Sequence, residues 1–115
     1  MDAMKMQMGL AHDQFLLVAA GTKTVEIRLN DAKRRQLQVG DTIEFVDTTT
    51  EKMQVKRVRG LEKFATFTEL YTRYGGRQVG SAPEDSVAKM VADTYTIYTP
   101  AQEHEFGVLA IHIGG

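Results

Sequence analysis

The clearest alternation in the chain lies in residues 21–31, GTKTVEIRLND. Val25, Ile27 and Leu29 interleave with Thr24, Glu26 and Arg28, a period of two that predicts a strand over residues 24–29 with one apolar and one polar face. Residues 4–10 read as a short first strand. Ile43 and Phe45 alternate with Thr42 and Glu44 over residues 42–46, and residues 47–50 form the loop of a hairpin whose return strand spans 52–61. In that return strand Met53 and Val55 share a phase that Val58 breaks, so either both faces are partly buried or a bulge shifts the register. Residues 105–113 are apolar in both phases, the mark of a central strand covered on both sides.

Between these strands the period lengthens. Residues 13–20 read as a helix, with Asp13 as cap, Phe15, Leu16 and Ala19 on one face, and Gly21 as the stop. Asn30 or Asp31 caps a short helical turn over 32–36, and Val39-Gly40-Asp41 is a turn in which Gly40 supplies positive φ. Thr66-Phe67-Thr68-Glu69 forms a capping box ahead of Phe67, Leu70, Tyr71 and Tyr74, and Gly75-Gly76 ends that helix. Ser81-Ala82-Pro83-Glu84 reads as a second box. Val87, Met90, Val91, Thr94 and Tyr95 then trace one helical face. Short helices interleaved with strands predict an α+β fold built on a small curved sheet or barrel.

Composition narrows the picture. At 115 residues, with no repeat or linker, residues 1–115 are expected to form a single domain. Cysteine is absent, which removes disulfides, thiol catalysis and thiolate metal sites. Fourteen basic and 15 acidic residues leave a net charge of −1, which excludes a polybasic coat on long nucleic acid and leaves a pocket binder open. No segment approaches the roughly 18 apolar residues of a membrane span, and the first residues lack a signal-peptide core. A cytoplasmic protein with no membrane association is the expectation.

Familiar catalytic and cofactor patterns (GxSxG, GxxxxGK[ST], GxGxxG, HExxH) do not occur, so no cofactor is expected. His12, His104 and His112 lie far apart and no metal site is expected from them. The basic groups Lys33-Arg34-Arg35 and Lys56, Arg57, Arg59 with Lys63 read as solvated faces, with phosphate contacts as the alternative. Lys23, Thr24, Glu26 and Arg28 are the sharper set. A lysine partly desolvated beside a carboxylate can shuttle a proton or activate a nucleophile, and an arginine can hold a carbonyl or phosphate with its forked donors. On composition and spacing alone, a cross-strand ion pair is the favoured reading of the same residues.

Taken together, GTKTVEIRLND, LQVGDTIEF at 37–45, TFTEL at 66–70 and EHEFGVLAIHI at 103–113 resemble the ASCH family, a relative of the PUA-like RNA-binding domains. The resemblance implies a small PUA-like β-barrel with flanking helices and a ligand cleft around Lys23, Glu26 and Arg28, with Thr24 beside them. It implies RNA or a nucleotide-like small molecule as partner, with Glu26 accepting from a base amino group. Some small relatives are amidohydrolases that deacetylate 4-acetylcytidine, and others are described as ribonucleases. In an enzyme of that kind Lys23 and Glu26 would be the catalytic pair. Those amidohydrolases, however, carry threonine where Glu26 stands, and a glutamate in the stretch that here reads Gln78-Val79-Gly80-Ser81-Ala82. The resemblance thus favours binding over hydrolysis. A protein-interaction module with an ion-paired sheet face is the third reading.

Overall fold

A computed structural model describes residues 3–115. Its strands are β1 (Lys5–Leu10), β2 (Val25–Leu29), β3 (Thr42–Asp47), β4 (Met53–Phe64) and β5 (Val108–Gly114). Its helices are α1 (His12–Ala20), α2 (Phe67–Arg73), α3 (Val87–Thr94) and α4 (Pro100–Phe106). The strands form one sheet in the order β1-β3-β4-β5-β2. All neighbours are antiparallel except β1 and β3, whose parallel register sets Lys5 beside Thr42 and Leu10 beside Asp47. The sheet curls into a half-barrel of the PUA-like kind. Its two outer strands, β1 and β2, are unpaired on their free edges among the described residues. The barrel expected from sequence is therefore open along one seam.

Both faces of the sheet are packed. On one, Met6, Met8 and Leu10 of β1, Ile43 and Phe45 of β3, Val58 of β4 and Leu109, Ile111 and Ile113 of β5 meet Phe15 and Val18 of α1. On the other, Val25 and Leu29 of β2 and Val108 and Ala110 of β5 meet Phe67, Leu70 and Tyr71 of α2 and Met90 of α3. Strand β5 supplies alternate residues to both cores, as its unbroken apolar run requires. Burying a large side chain completely, as at Phe45 and Phe67, contributes about 1.5–3 kcal/mol each.

Strand β4 resolves its phase conflict by a register shift between Val58 and Gly60. Met53 and Val55 are exposed and Val58 is fully buried. Gly60 suits the irregularity because its Cα lies against the His112 ring, where a Cβ would come within 3.3 Å of Cδ2. Elsewhere three expectations need correction. Helix α1 starts at His12 behind Ala11 with no side-chain cap, and Asp13 sits in its first turn. The Ser81 box does not cap a helix: Asp85 Oδ2 accepts from the Ala82 amide to close a turn, and α3 begins later, capped by Ser86. Residues 100–106 form α4, so the final strand starts at Val108 and not at Glu105. The signal for α4 is present as Thr99-Pro100-Ala101-Gln102, a capping box with proline at N1.

The Thr66 cap forms as expected, its hydroxyl accepting from the Glu69 amide. Helix α2 has a second anchor that sequence reasoning missed. Glu103 of α4 is buried, and its Oε2 accepts from the Phe67 amide at 2.7 Å. Its Oε1 accepts from the Tyr95 hydroxyl, also at 2.7 Å. A carboxylate on the first amides of a helix is favoured by the helix dipole as well as by the bond itself. Glu103→Ala leaves a buried amide without an acceptor, and is expected to lower the unfolding free energy by about 2 kcal/mol. Urea unfolding followed by circular dichroism measures it; a change below ~0.5 kcal/mol would discount this anchor.

Candidate functional site

Strand β2 does not present its polar residues to solvent. Glu26 is 3% exposed and Lys23 is 5% exposed. The reason lies in the seam: β2 is the last strand of the curl, so the face that alternates away from the second core turns toward α1 and the free edge of β1. There Lys23 Nζ donates to Glu26 Oε1 at 2.9 Å, and Arg28 donates to Glu26 Oε2 from Nε at 3.0 Å and from Nη2 at 2.8 Å. Nη2 also reaches across the seam to the Gly9 carbonyl of β1 at 2.7 Å. One residue along, the Ile27 amide donates to Glu26 Oε1 at 3.1 Å. Each carboxylate oxygen of Glu26 thus already has two protein donors.

Gln14 and Gly80 complete the setting of Lys23. Gln14 of α1 accepts from Lys23 Nζ at 2.7 Å, while its own amide donates to the Gly80 carbonyl at 3.0 Å. Gly80 has φ of 88°. A Cβ there would overlap the Gln14 amide oxygen and lie 2.8 Å from Lys23 Cδ, so glycine is required by both conformation and space. Neither residue was singled out from sequence. A glutamine on a helix and a glycine between helices carry no local signal of the lysine they enclose.

These side chains form the floor of a cleft of about 720 Å³ lined also by Tyr71, Val79, Met90 and Tyr98. Tyr98 lies nearly parallel to Phe67, with ring centroids 5.9 Å apart and planes 15° apart, and Tyr71 donates to or accepts from Thr94 at 2.7 Å. Burial pushes both phenols above their ordinary range, so they remain protonated. The cleft has the size and the mixed apolar and polar lining of a small-molecule site. Lys23, Glu26 and Arg28 converge in it. Thr24 does not line it: its side chain is exposed, while its backbone bonds to Gln78 and Ile113.

The other expected residues fall elsewhere. Lys33 donates to the Gln7 carbonyl at 3.4 Å, Arg34 pairs with Asp31 at 3.3 Å, and Arg35 donates to the Asn30 carbonyl at 2.8 Å. Lys56, Arg57, Arg59 and Lys63 belong to β4, outside that cleft. His12 pairs with Asp47 at 2.6 Å, and His112 contacts Tyr74 and Glu62. Among the described residues no group of three His, Asp or Glu side chains could hold a metal.

Electrostatics defines what Glu26 can do. Its burial alone would raise its carboxyl pKa, but the charges and hydrogen bonds of Lys23 and Arg28 outweigh that and hold it below the ordinary 4.5. Asp47 is similar: burial opposes its charge, but bonds from His12, Thr49 and Thr50 hold it down at about 2. A carboxylate held low and fully hydrogen-bonded is a poor general base and a firm counter-ion. The cluster has one negative and two positive members, and so carries a net positive charge. Arg28 Nη1 meets no acceptor among the described residues, and Lys23 has spent two of its three protons. Donors, not acceptors, are left for a ligand.

A five-stranded curled half-barrel with four helices packed around it is a PUA-like fold. The model of the ASCH domain matches residues 8–114, and the chain belongs to that family. Among solved structures, the hypothetical protein PH0355 is similar at 34% identity over 96% of this chain and 97% of its own, with a TM-score of 0.84. PF0455 from Pyrococcus furiosus is similar at 29% identity over 96% of both chains, with a TM-score of 0.74. The ASCH protein from Zymomonas mobilis shares the fold at 16% identity over 99% of this chain and 69% of its own, with a TM-score of 0.70. No curated protein matches the sequence.

Two outcomes follow from the ion cluster. Removing one member strands the others in a buried site, so Glu26→Leu is expected to cost about 3–5 kcal/mol of stability in urea. A cost under ~1 kcal/mol would show that the cluster relaxes into water. The sign of the pH effect follows from the depressed carboxyl. The Glu26 contribution is complete above its unfolded value of about 4.5 and fades as pH falls through its lower folded value. As pH falls below about 4.5, the wild type is therefore expected to lose stability faster than Glu26→Gln. Parallel curves for the two proteins would contradict the assignment.

Proposed function

We propose that the cleft binds RNA through one nucleotide, or a free modified nucleoside, with Lys23 and Arg28 donating to its carbonyl or phosphate oxygens. The carrying observation is the convergence of an ammonium and a guanidinium on one carboxylate, at the floor of a cleft of small-molecule size. Glu26 serves as their fixed counter-ion. This differs from the role expected from sequence, in which Glu26 accepts from a base amino group, because both of its oxygens are filled. Tyr71, Tyr98, Val79 and Met90 supply the apolar contact that a planar base needs. The low proton affinity of Glu26 favours recognition over hydrolysis, since a carboxylate held between Lys23 and Arg28 does not stand ready to take a proton from water.

Chemical-shift mapping with short single-stranded RNAs and with free nucleosides, 4-acetylcytidine among them, is the direct test. Shifts are expected at residues 9–14, 23–28, 79–82 and 94–98; shifts confined to other surfaces would rule the cleft out. Gly80→Ala keeps every charge but displaces Gln14 and Lys23, and is expected to weaken binding about tenfold while the far-ultraviolet spectrum stays native. The wild type is expected to leave 4-acetylcytidine intact when its absorbance is followed. Turnover that disappears in Lys23→Ala would reassign the protein as an amidohydrolase.

A further inference from the structure

The cleft is not uniformly basic. Its floor carries Lys23 and Arg28, partly matched by Glu26, whereas its remaining lining carries three more carboxylates, Asp13, Asp85 and Asp93. The lining as a whole therefore sets four carboxylates against two cations, and the positive charge lies deepest. Asp13 and Asp93 are exposed, one in the first turn of α1 and the other in the last turn of α3, and Asp85 is half-buried. Among the described residues Lys89 is the sole cation paired with any of the three, 2.8 Å from Asp93 and 3.8 Å from Asp85. Of the basic residues near Tyr98 outside the lining, Arg34 is already neutralised by Asp31.

We infer that Asp85 and Asp93 act as a charge filter at the mouth, one that admits an uncharged nucleoside and turns away its phosphorylated forms. The inference rests on the free-nucleoside form of the proposed function and decides against its RNA form. A base that reaches the floor meets donors suited to its carbonyl or ring acceptors. Its ribose then lies toward the mouth, where hydroxyl groups can donate to carboxylates. A 5′-phosphate would occupy the same outer region and meet like charge, and an RNA strand would bring a phosphate on either side of the bound base. Strand binding draws its affinity from basic residues that replace counter-ions. The basic residues on β4 and in residues 33–35 do not line this mouth. Lys89 tempers the filter because it spends its charge on both aspartates.

The test compares cytidine and 4-acetylcytidine with their 5′-monophosphates and with a trinucleotide containing each, titrated by nuclear magnetic resonance. At about 20 mM salt the nucleoside that binds is expected to do so at least fivefold more tightly than its monophosphate, and the ratio should shrink near 200 mM as charges are screened. Asp93→Asn and Asp85→Asn are expected to lower the ratio about two- to threefold each, and Lys89→Gln to raise it by a similar factor. Asp93 and Lys89 are exposed, so Asp93→Asn and Lys89→Gln keep the fold and decide the matter should Asp85→Asn loosen the turn that Asp85 closes. Monophosphate or trinucleotide binding as tight as the nucleoside would overturn the filter while leaving the cleft as the site. So would a ratio that neither salt nor the three variants move. Failure of every form to bind would remove the nucleoside reading itself, and the filter with it.

Discussion

The Glu26 carboxylate is the point on which the rest of the structure turns. It is buried, yet it stays charged because an ammonium and a guanidinium lie within hydrogen-bonding distance. An isolated carboxylate in that place would be strongly disfavoured; a paired one becomes a rigid reference for its partners. Lys23 is set by it from one side and by Gln14 from the other, and Gln14 in turn holds the Gly80 carbonyl. Three segments distant in sequence, α1, β2 and the turn at residue 80, are thereby fixed around one charge.

The same cluster explains how an incomplete barrel keeps its shape. Backbone pairing holds β1 only to β3 and β2 only to β5, so the curl has no ladder across its seam among the described residues. Arg28 bridges that seam to Gly9, and Lys33 reaches Gln7 on the same strand. Side chains do here what strand pairing does in a closed barrel. They leave space between the edges, and the cleft occupies it.

How much of this the sequence disclosed depended on whether a local rule applied. The doubly covered β5, the apolar face of α3, the Thr66 cap and the register fault in β4 all follow from periodicity or capping within a few residues. The grouping of Lys23, Glu26 and Arg28 was legible as an alternating polar face. Its burial was not, because a face turned to water and a face turned to a charged interior show the same alternation. Gln14, Gly80, Tyr98 and the aspartates of the mouth come from separate elements, and only the curl of the sheet assembles them. The missed α4 is a different matter: its capping box was present, but the apolar run that follows drew the strand boundary too early.

The hydrogen-bonding state of the free edges has a consequence for life in a crowded solution. An open sheet edge is a template on which another chain can add a strand. On β1 the carbonyls of Gln7 and Gly9 are taken by Lys33 and Arg28, and on β2 the Ile27 amide is taken by Glu26. The charges that shape the cleft are thus also what keeps both edges from recruiting a neighbour. A change that neutralises them does more than empty a pocket. It uncovers two adhesive borders, and the resulting loss is one of solubility, growing with protein concentration even where the single molecule remains folded.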